Sequence, residues 1–145
     1  MSKKNNFGFS LIEMIIIVTI VAALISVLAP QYLKYVEKSR IIRDEEIADE
    51  IRRSCEMILS DDDEKLERGE YTITITPNAD ITVMGKDGAN PAHLDVYLKQ
   101  VLGADYAKNR LKSRNFSQIQ VVFSNTAWPS CNITYVNVGV PNTGN

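Results

Sequence analysis

The sequence predicts an α+β fold: one long N-terminal helix, membrane-spanning in its first half and amphipathic in its second, packed on an antiparallel β-sheet of about four strands, with one additional helix. Three observations predict it. An apolar run extends from Phe9 to Ala29 with a single charge, Glu13, inside it. After Pro30, apolar residues return mostly at steps of three and four, the spacing of one helix face. Beyond residue 70 the pattern changes to alternation, as in Tyr71-Thr72-Ile73-Thr74-Ile75-Thr76, which reads as strand with one buried face.

The first element is long enough to cross a bilayer. About twenty apolar residues at roughly 1.5 Å rise each cover a hydrocarbon core of roughly 30 Å. Between Phe9 and Ala29 there are thirteen Phe, Leu, Ile and Val side chains. At roughly −0.3 to −0.6 kcal/mol each they contribute about −4 to −8 kcal/mol, against roughly +3 for one acidic residue, so insertion wins with Glu13 charged. β-Branched residues lower helix propensity in water, but lipid leaves helix as the one form open to a single span.

Glu13 is the anomaly in this run. An ionisable side chain within a membrane segment is costly and points to function. Near the boundary, with Lys3 and Lys4 just outside, its carboxylate would reach headgroups; deeper in, it requires a partner. The flanking residues sharpen the choice.

Gly8-Phe9-Ser10-Leu11-Ile12-Glu13, preceded by a short basic leader and followed by the apolar run and Pro30, resembles the type IV pilin and type II secretion pseudopilin superfamily over roughly the first 55 residues. The resemblance implies that a membrane-embedded prepilin peptidase cleaves between Gly8 and Phe9, and that the new amine of Phe9 is N-methylated. It implies that Glu13 pairs with the N-terminal amine of a neighbouring subunit, and that an assembly platform with its ATPase draws subunits from the membrane into a helical fibre. The pairing is physically sound. An α-amine is mostly cationic near neutral pH, methylation keeps the charge, and two opposite charges in lipid each need a partner.

This divides the chain into a leader over 1–8, a transmembrane and assembly helix over 9–29, and an extracytoplasmic globular domain over 30–145 that includes the second half of the long helix. Lys3 and Lys4 place the N-terminus in the cytoplasm by the positive-inside rule. A secretory signal peptide fits less well, because Pro30 follows Val27-Leu28-Ala29 and Glu13 stands near the start of the apolar core. With 145 residues there is room for one domain besides the span, and a net charge of −2 gives no general attraction to nucleic acid or acidic membranes.

Past the span, Pro30 is expected to bend the helix without ending it. Leu33, Val36, Ile47, Ile51, Cys55 and Ile58 form an apolar face, while Lys34, Glu37, Lys38, Arg43, Glu46, Asp49, Glu50 and Arg53 lie on others. Those charges read either as a solvated face with local ion pairs or as partners between subunits. Asp61-Asp62-Asp63-Glu64 lacks the spaced oxygens and glycine of a calcium loop and reads as a solvated linker. No metal or cofactor is assigned.

Tyr71 to Thr76 and Ile81 to Val83 predict a hairpin around Pro77-Asn78-Ala79-Asp80, followed by a turn at Gly85-Lys86-Asp87-Gly88. Asn90 then Pro91 marks a helix start; Leu94, Tyr97, Leu98, Val101 and Leu102 share a face, and Gly103 ends it. His93 lies off that face and reads as exposed. Ile119, Val121 and Phe123 alternate in a third strand, and Cys131, Ile133 and Tyr135 in a fourth; the apolar face of the long helix is the natural cover for the resulting sheet.

Lys108, Arg110, Lys112 and Arg114 form a basic stretch that reads as a solvated loop, or as a contact for DNA or an anionic surface. Asn115-Phe116-Ser117 and Asn132-Ile133-Thr134 match the glycosylation acceptor pattern, a weak signal here. Cys55 and Cys131 each fall on an apolar face, so both point into one core. As buried thiols they act as small hydrophobes; as a disulfide they would close a loop of about 75 residues and stabilise by roughly 4 kcal/mol in the chain-entropy model. Both states remain open.

One histidine and no nucleophile motif, phosphate-binding loop or metal-ligand cluster argue against an enzyme. The expected function is a structural subunit of a type IV pilus, a self-polymer whose head-to-tail interface does not close. Its alternatives are a secretion or competence pseudopilin and a minor pilin acting as a binding module at a filament tip.

Overall fold

A computed structural model of the chain describes residues 10–60, 66–126 and 128–138. The Gly8–Phe9 bond and the Asp61 to Glu64 cluster lie outside the described residues. The chain divides into two compact units, Met1–Val36 and Glu37–Asn145. Helix α1, Leu11–Ser60, contributes to both, with Pro30 inside it.

In the first unit every described side chain from Ser10 to Tyr35 is exposed, including Leu11, Ile12, Val18 and Leu28 at 60% or more. A globular protein would bury such residues, and this segment is long and apolar enough to cross a membrane. Thr19 and Ser26 return their hydroxyls to the carbonyls of Ile15 and Ala23, so both side-chain donors are satisfied within the helix. Leu33, expected on the packed face, is exposed, because the second unit begins one turn later.

The second unit is a helix on a sheet. Strands β1 (Gly69–Ile75), β2 (Thr82–Lys86), β3 (Phe116–Asn125) and β4 (Ser130–Asn137) form one antiparallel sheet in the order β2-β1-β3-β4. The inner face follows the period of two: Tyr71, Ile73 and Ile75 from β1 and Ile119, Val121 and Phe123 from β3 are all inaccessible to solvent. From α1, Ala48, Ile51, Cys55 and Ile58 meet them in one core. Each fully buried Ile, Phe or Tyr of this set contributes about 1.5–3 kcal/mol, which makes the helix–sheet contact the main stabilising layer of the unit.

Helix α2, Pro91–Leu102, begins and ends where expected. Asn90 Oδ1 accepts the Ala92 N–H at 3.1 Å, Pro91 occupies the first turn, and Gly103 follows the last residue with a φ of 97°. Leu94 and Leu98 are buried and Tyr97 and Leu102 half-buried, but Val101 is exposed.

Two further expectations shift. Gly85 belongs to β2 rather than to a turn, with the turn at Asp87 and Gly88. A side chain at Gly85 would overlap the carbonyl of Ala89, so glycine is what lets β2 pass beneath the start of α2. Ile81 precedes β2: its N–H goes to the carbonyl of Ala107 at 2.6 Å, in a 3-10 turn over Tyr106–Lys108 that the sequence reading missed. Tyr135 lies opposite Ile119 on the inner face, as expected, but on the edge strand it stays 39% exposed and rests its ring on Phe116 at a centroid distance of 5.4 Å.

Candidate assembly site

Ser10 is the first described residue, and α1 begins at Leu11. The carboxylate of Glu13 turns back over the helix start and accepts the Ser10 backbone N–H at 2.9 Å, while the Ser10 carbonyl takes the Met14 N–H at 3.2 Å. Ser-x-x-Glu with the acid bonded to the first amide is half of a capping box. The four free amides of a helix start carry partial positive charge, so this is also where a carboxylate is stabilised. The spacing Ser10 to Glu13 was visible in the sequence as a capping signal, and the sequence reading passed over it.

Chemically the arrangement does two things. It makes the carboxylate an acceptor near the start of an otherwise apolar helix. It also leaves that acceptor, four residues beyond Phe9 in sequence, bonded to the single amide of Ser10, which a stronger, cationic donor can displace, since charge-assisted hydrogen bonds are about twice as strong as neutral ones. Around it Leu11, Met14, Ile15 and Val18 form an exposed apolar surface.

The remaining predicted residues are elsewhere. Pro30 sits within α1, where it has no N–H to give the carbonyl one turn back. Cys55 and Cys131 come together in the second unit as free thiols, Cys55 fully buried and Cys131 half-buried. His93 is exposed, as expected, with Nδ1 at 2.8 Å from Glu67 Oε1.

The sequence reading overlooked one polar cluster in the second unit. Asp44 lies seven residues before Ile51 on the buried stripe of α1 and is itself fully buried. Its carboxylate accepts the backbone N–H of Lys112 at 3.0 and 2.9 Å and that of Ser113 at 2.7 Å, with Arg43 Nη1 at 3.5 Å. Two turns earlier, Glu37 Oε1 accepts the Ser113 hydroxyl at 2.8 Å and the Arg114 N–H at 2.6 Å. These donors hold the Glu37 carboxyl below its ordinary range, against a smaller opposing effect of burial.

Those contacts revise the picture of both charged segments. Arg52 pairs locally with Asp49 and Glu56, as a solvated face would, but Glu37 and Asp44 serve to hold the loop before β3. Within the basic stretch, Lys108 pairs with Asp105 at 2.6 Å and Arg110 with Asp80 at 2.8 Å. Lys112 and Arg114 are held through their backbone amides. Two of the four cations are thus partly neutralised within the chain, which weakens the case for a phosphate-binding surface.

A long N-terminal apolar helix, a four-strand antiparallel sheet and one further helix define the class: this is the α+β fold of the pilins. Residues 3–29 match the family model for the prokaryotic N-terminal methylation motif, the leader signature of type IV pilins and pseudopilins. That family is structural rather than enzymatic; the motif together with the apolar helix supports a membrane-anchored, pilin-like or pseudopilin precursor and implies processing by prepilin peptidase. Neither a curated protein nor a solved structure matches the chain.

Proposed function

We propose that the chain is the structural subunit of a type IV pilus. It is inserted with its N-terminus in the cytoplasm, cleaved between Gly8 and Phe9, methylated on Phe9 and polymerised through the Phe9 to Ala29 helix, with the domain after Pro30 outside. The single observation that carries this reading is the methylation motif over residues 3–29 joined to a helix exposed along its whole first half, with Glu13 at its start. In lipid those side chains meet hydrocarbon; in a fibre they pack on each other, and van der Waals contact between helices replaces contact with lipid. Glu13 exchanges the Ser10 amide for the cationic Phe9 amine of a neighbouring copy.

The test is intact mass and N-terminal sequencing of protein from sheared cell-surface material. A chain starting at Phe9 with one added methyl group, abundant in wild type and lost in Glu13→Val, supports a major filament subunit. A chain retaining Met1, or beginning near Pro30, or absent from sheared material overturns it. Scarcity in that fraction with correct processing assigns the protein to the pseudopilins instead.

One observation favours a second reading, a binding module at a filament tip. Trp128, between β3 and β4, is 87% exposed, and Trp is the side chain type most enriched among the residues that anchor interfaces. If this reading holds, Trp128→Ala leaves filament yield unchanged and lowers cell attachment to surfaces; unchanged attachment removes it.

A further inference from the structure

Cys55 and Cys131 are the sole cysteines of the chain, and the fold brings them into one core across 76 positions. Cys55 lies on the face of α1 that covers the sheet, fully buried among core residues. Cys131 lies on β4, one of the two edge strands, opposite Phe123 of β3, and is half-buried. The Cys131 Sγ lies 3.8 Å from the carbonyl of Arg52, the residue three before Cys55 on α1, and packs against the same core that buries Cys55. Among the described residues β4 pairs with β3 alone. An edge strand with one neighbour is the least anchored strand of a sheet, and its residues SCNITYVN carry no charge to discourage pairing with another chain.

We propose that Cys55 and Cys131 form an intramolecular disulfide tying α1 to the edge strand β4, with Cys131 as the sulfur that meets the oxidant and Cys55 as the sulfur that resolves it. The order follows from access. Cys55 is closed off by the core, whereas Cys131 stands at the sheet edge. Their titration runs the same way: interaction with the Cys131 sulfur and burial raise the Cys55 thiol, while interaction with Cys55 lowers the Cys131 thiol.

The oxidant is an external disulfide, either a small one or that of a thiol oxidoreductase. The Cys131 thiolate attacks one of its sulfurs, forming a mixed disulfide and expelling the other half as a thiolate. Cys55 then gives up its proton and attacks the Cys131 sulfur, expelling the remaining half. The external disulfide is reduced to two thiols and the protein dithiol is oxidised to one bond. Meeting such an oxidant in the cell rests on the extracytoplasmic placement proposed above; the pairing and its order rest on the fold alone.

The purified, reduced full-length chain in detergent, exposed to glutathione disulfide, tests pairing and order by intact mass. Wild type is expected to lose two hydrogens and keep no glutathione. Cys55→Ala is expected to hold one glutathione on Cys131, and Cys131→Ala to remain unmodified until denatured. Wild type carrying two glutathiones, or Cys131→Ala modified as fast as Cys55→Ala, overturns the assignment. From cells quenched in acid, alkylation of the denatured protein is expected to label neither cysteine before reduction and both after it. Two labels before reduction, on protein that added protease reaches from outside, overturn the bond; protein that protease does not reach fails the placement and leaves the purified-chain result to decide the pairing.

Discussion

The fully buried carboxylate of Asp44 accepts the backbone N–H of Ser113 at 2.7 Å, a contact between residues 69 apart in the chain. It joins the helix that covers the sheet to the loop that leads into β3. Lys112 donates to the same carboxylate, and Glu37 holds Ser113 and Arg114 from one side. The entry to the central strand β3 is therefore fixed by α1 through polar contacts as well as through the core.

Asp44→Ala removes the acceptor for two amides. Leaving a buried donor unpaired costs about 1–3 kcal/mol, so the loss is expected to be about 2–4 kcal/mol. Asp44→Asn keeps one oxygen and is expected to lose less. Urea unfolding of the detergent-solubilised chain measures both; equal stability of Asp44→Ala and wild type would show that the loop is held without it.

Glu37 gives the fold a dependence on acid. Hydrogen bonds from the Ser113 hydroxyl and Arg114 amide lower its carboxyl in the folded state. A depressed folded value means that the stabilisation is complete above the ordinary glutamate range and is lost as pH falls through that range towards the folded value. Glu37→Gln is expected to be less stable than wild type at neutral pH, with the difference shrinking on acidification. Thermal midpoints by circular dichroism between about pH 7 and pH 3 follow this; a gap that widens towards acid contradicts it.

Gly85 has no room for a side chain. A Cβ there would overlap backbone at Ala89, and backbone does not give way as a flexible side chain does. Gly85→Ala is expected to cost about 3 kcal/mol or more. The expected readout is lost protection of β2 amides in hydrogen exchange; wild-type protection would mean that the α2 start relaxes freely.

Glu13 separates capping from charge. Gln at this position retains an oxygen for the Ser10 N–H but not the negative charge, whereas Val retains neither. If charge pairing drives assembly, Glu13→Gln and Glu13→Val both insert in the membrane and both yield few filaments. Normal filament yield from Glu13→Gln would assign the residue to helix capping.

Much of the fold was readable locally. The alternation in Tyr71 to Thr76, the Asn90-Pro91 start and the Gly103 stop each act within a few residues, and each element appears where its local signal stands. The candidate assembly site was readable for the same reason: an acid inside an apolar run is conspicuous whatever surrounds it. The 3-10 turn at Tyr106–Lys108 was not, because it is held by Ile81, whose amide it accepts from a distant part of the chain.

The charged segments mark the limit. By itself the sequence determined an apolar span with one acid, Glu13, inside it, a period-two sheet and a helix to cover it, since burial of apolar surface follows a periodicity that neighbours in the chain create. It did not determine which charges are solvated. Asp44 resembled its neighbours Arg43 and Glu45 until the fold brought the amides of Lys112 and Ser113 to it. The tertiary structure decided these because a buried polar group is tolerated only where specific donors converge on it, and those donors come from residues that no local pattern connects.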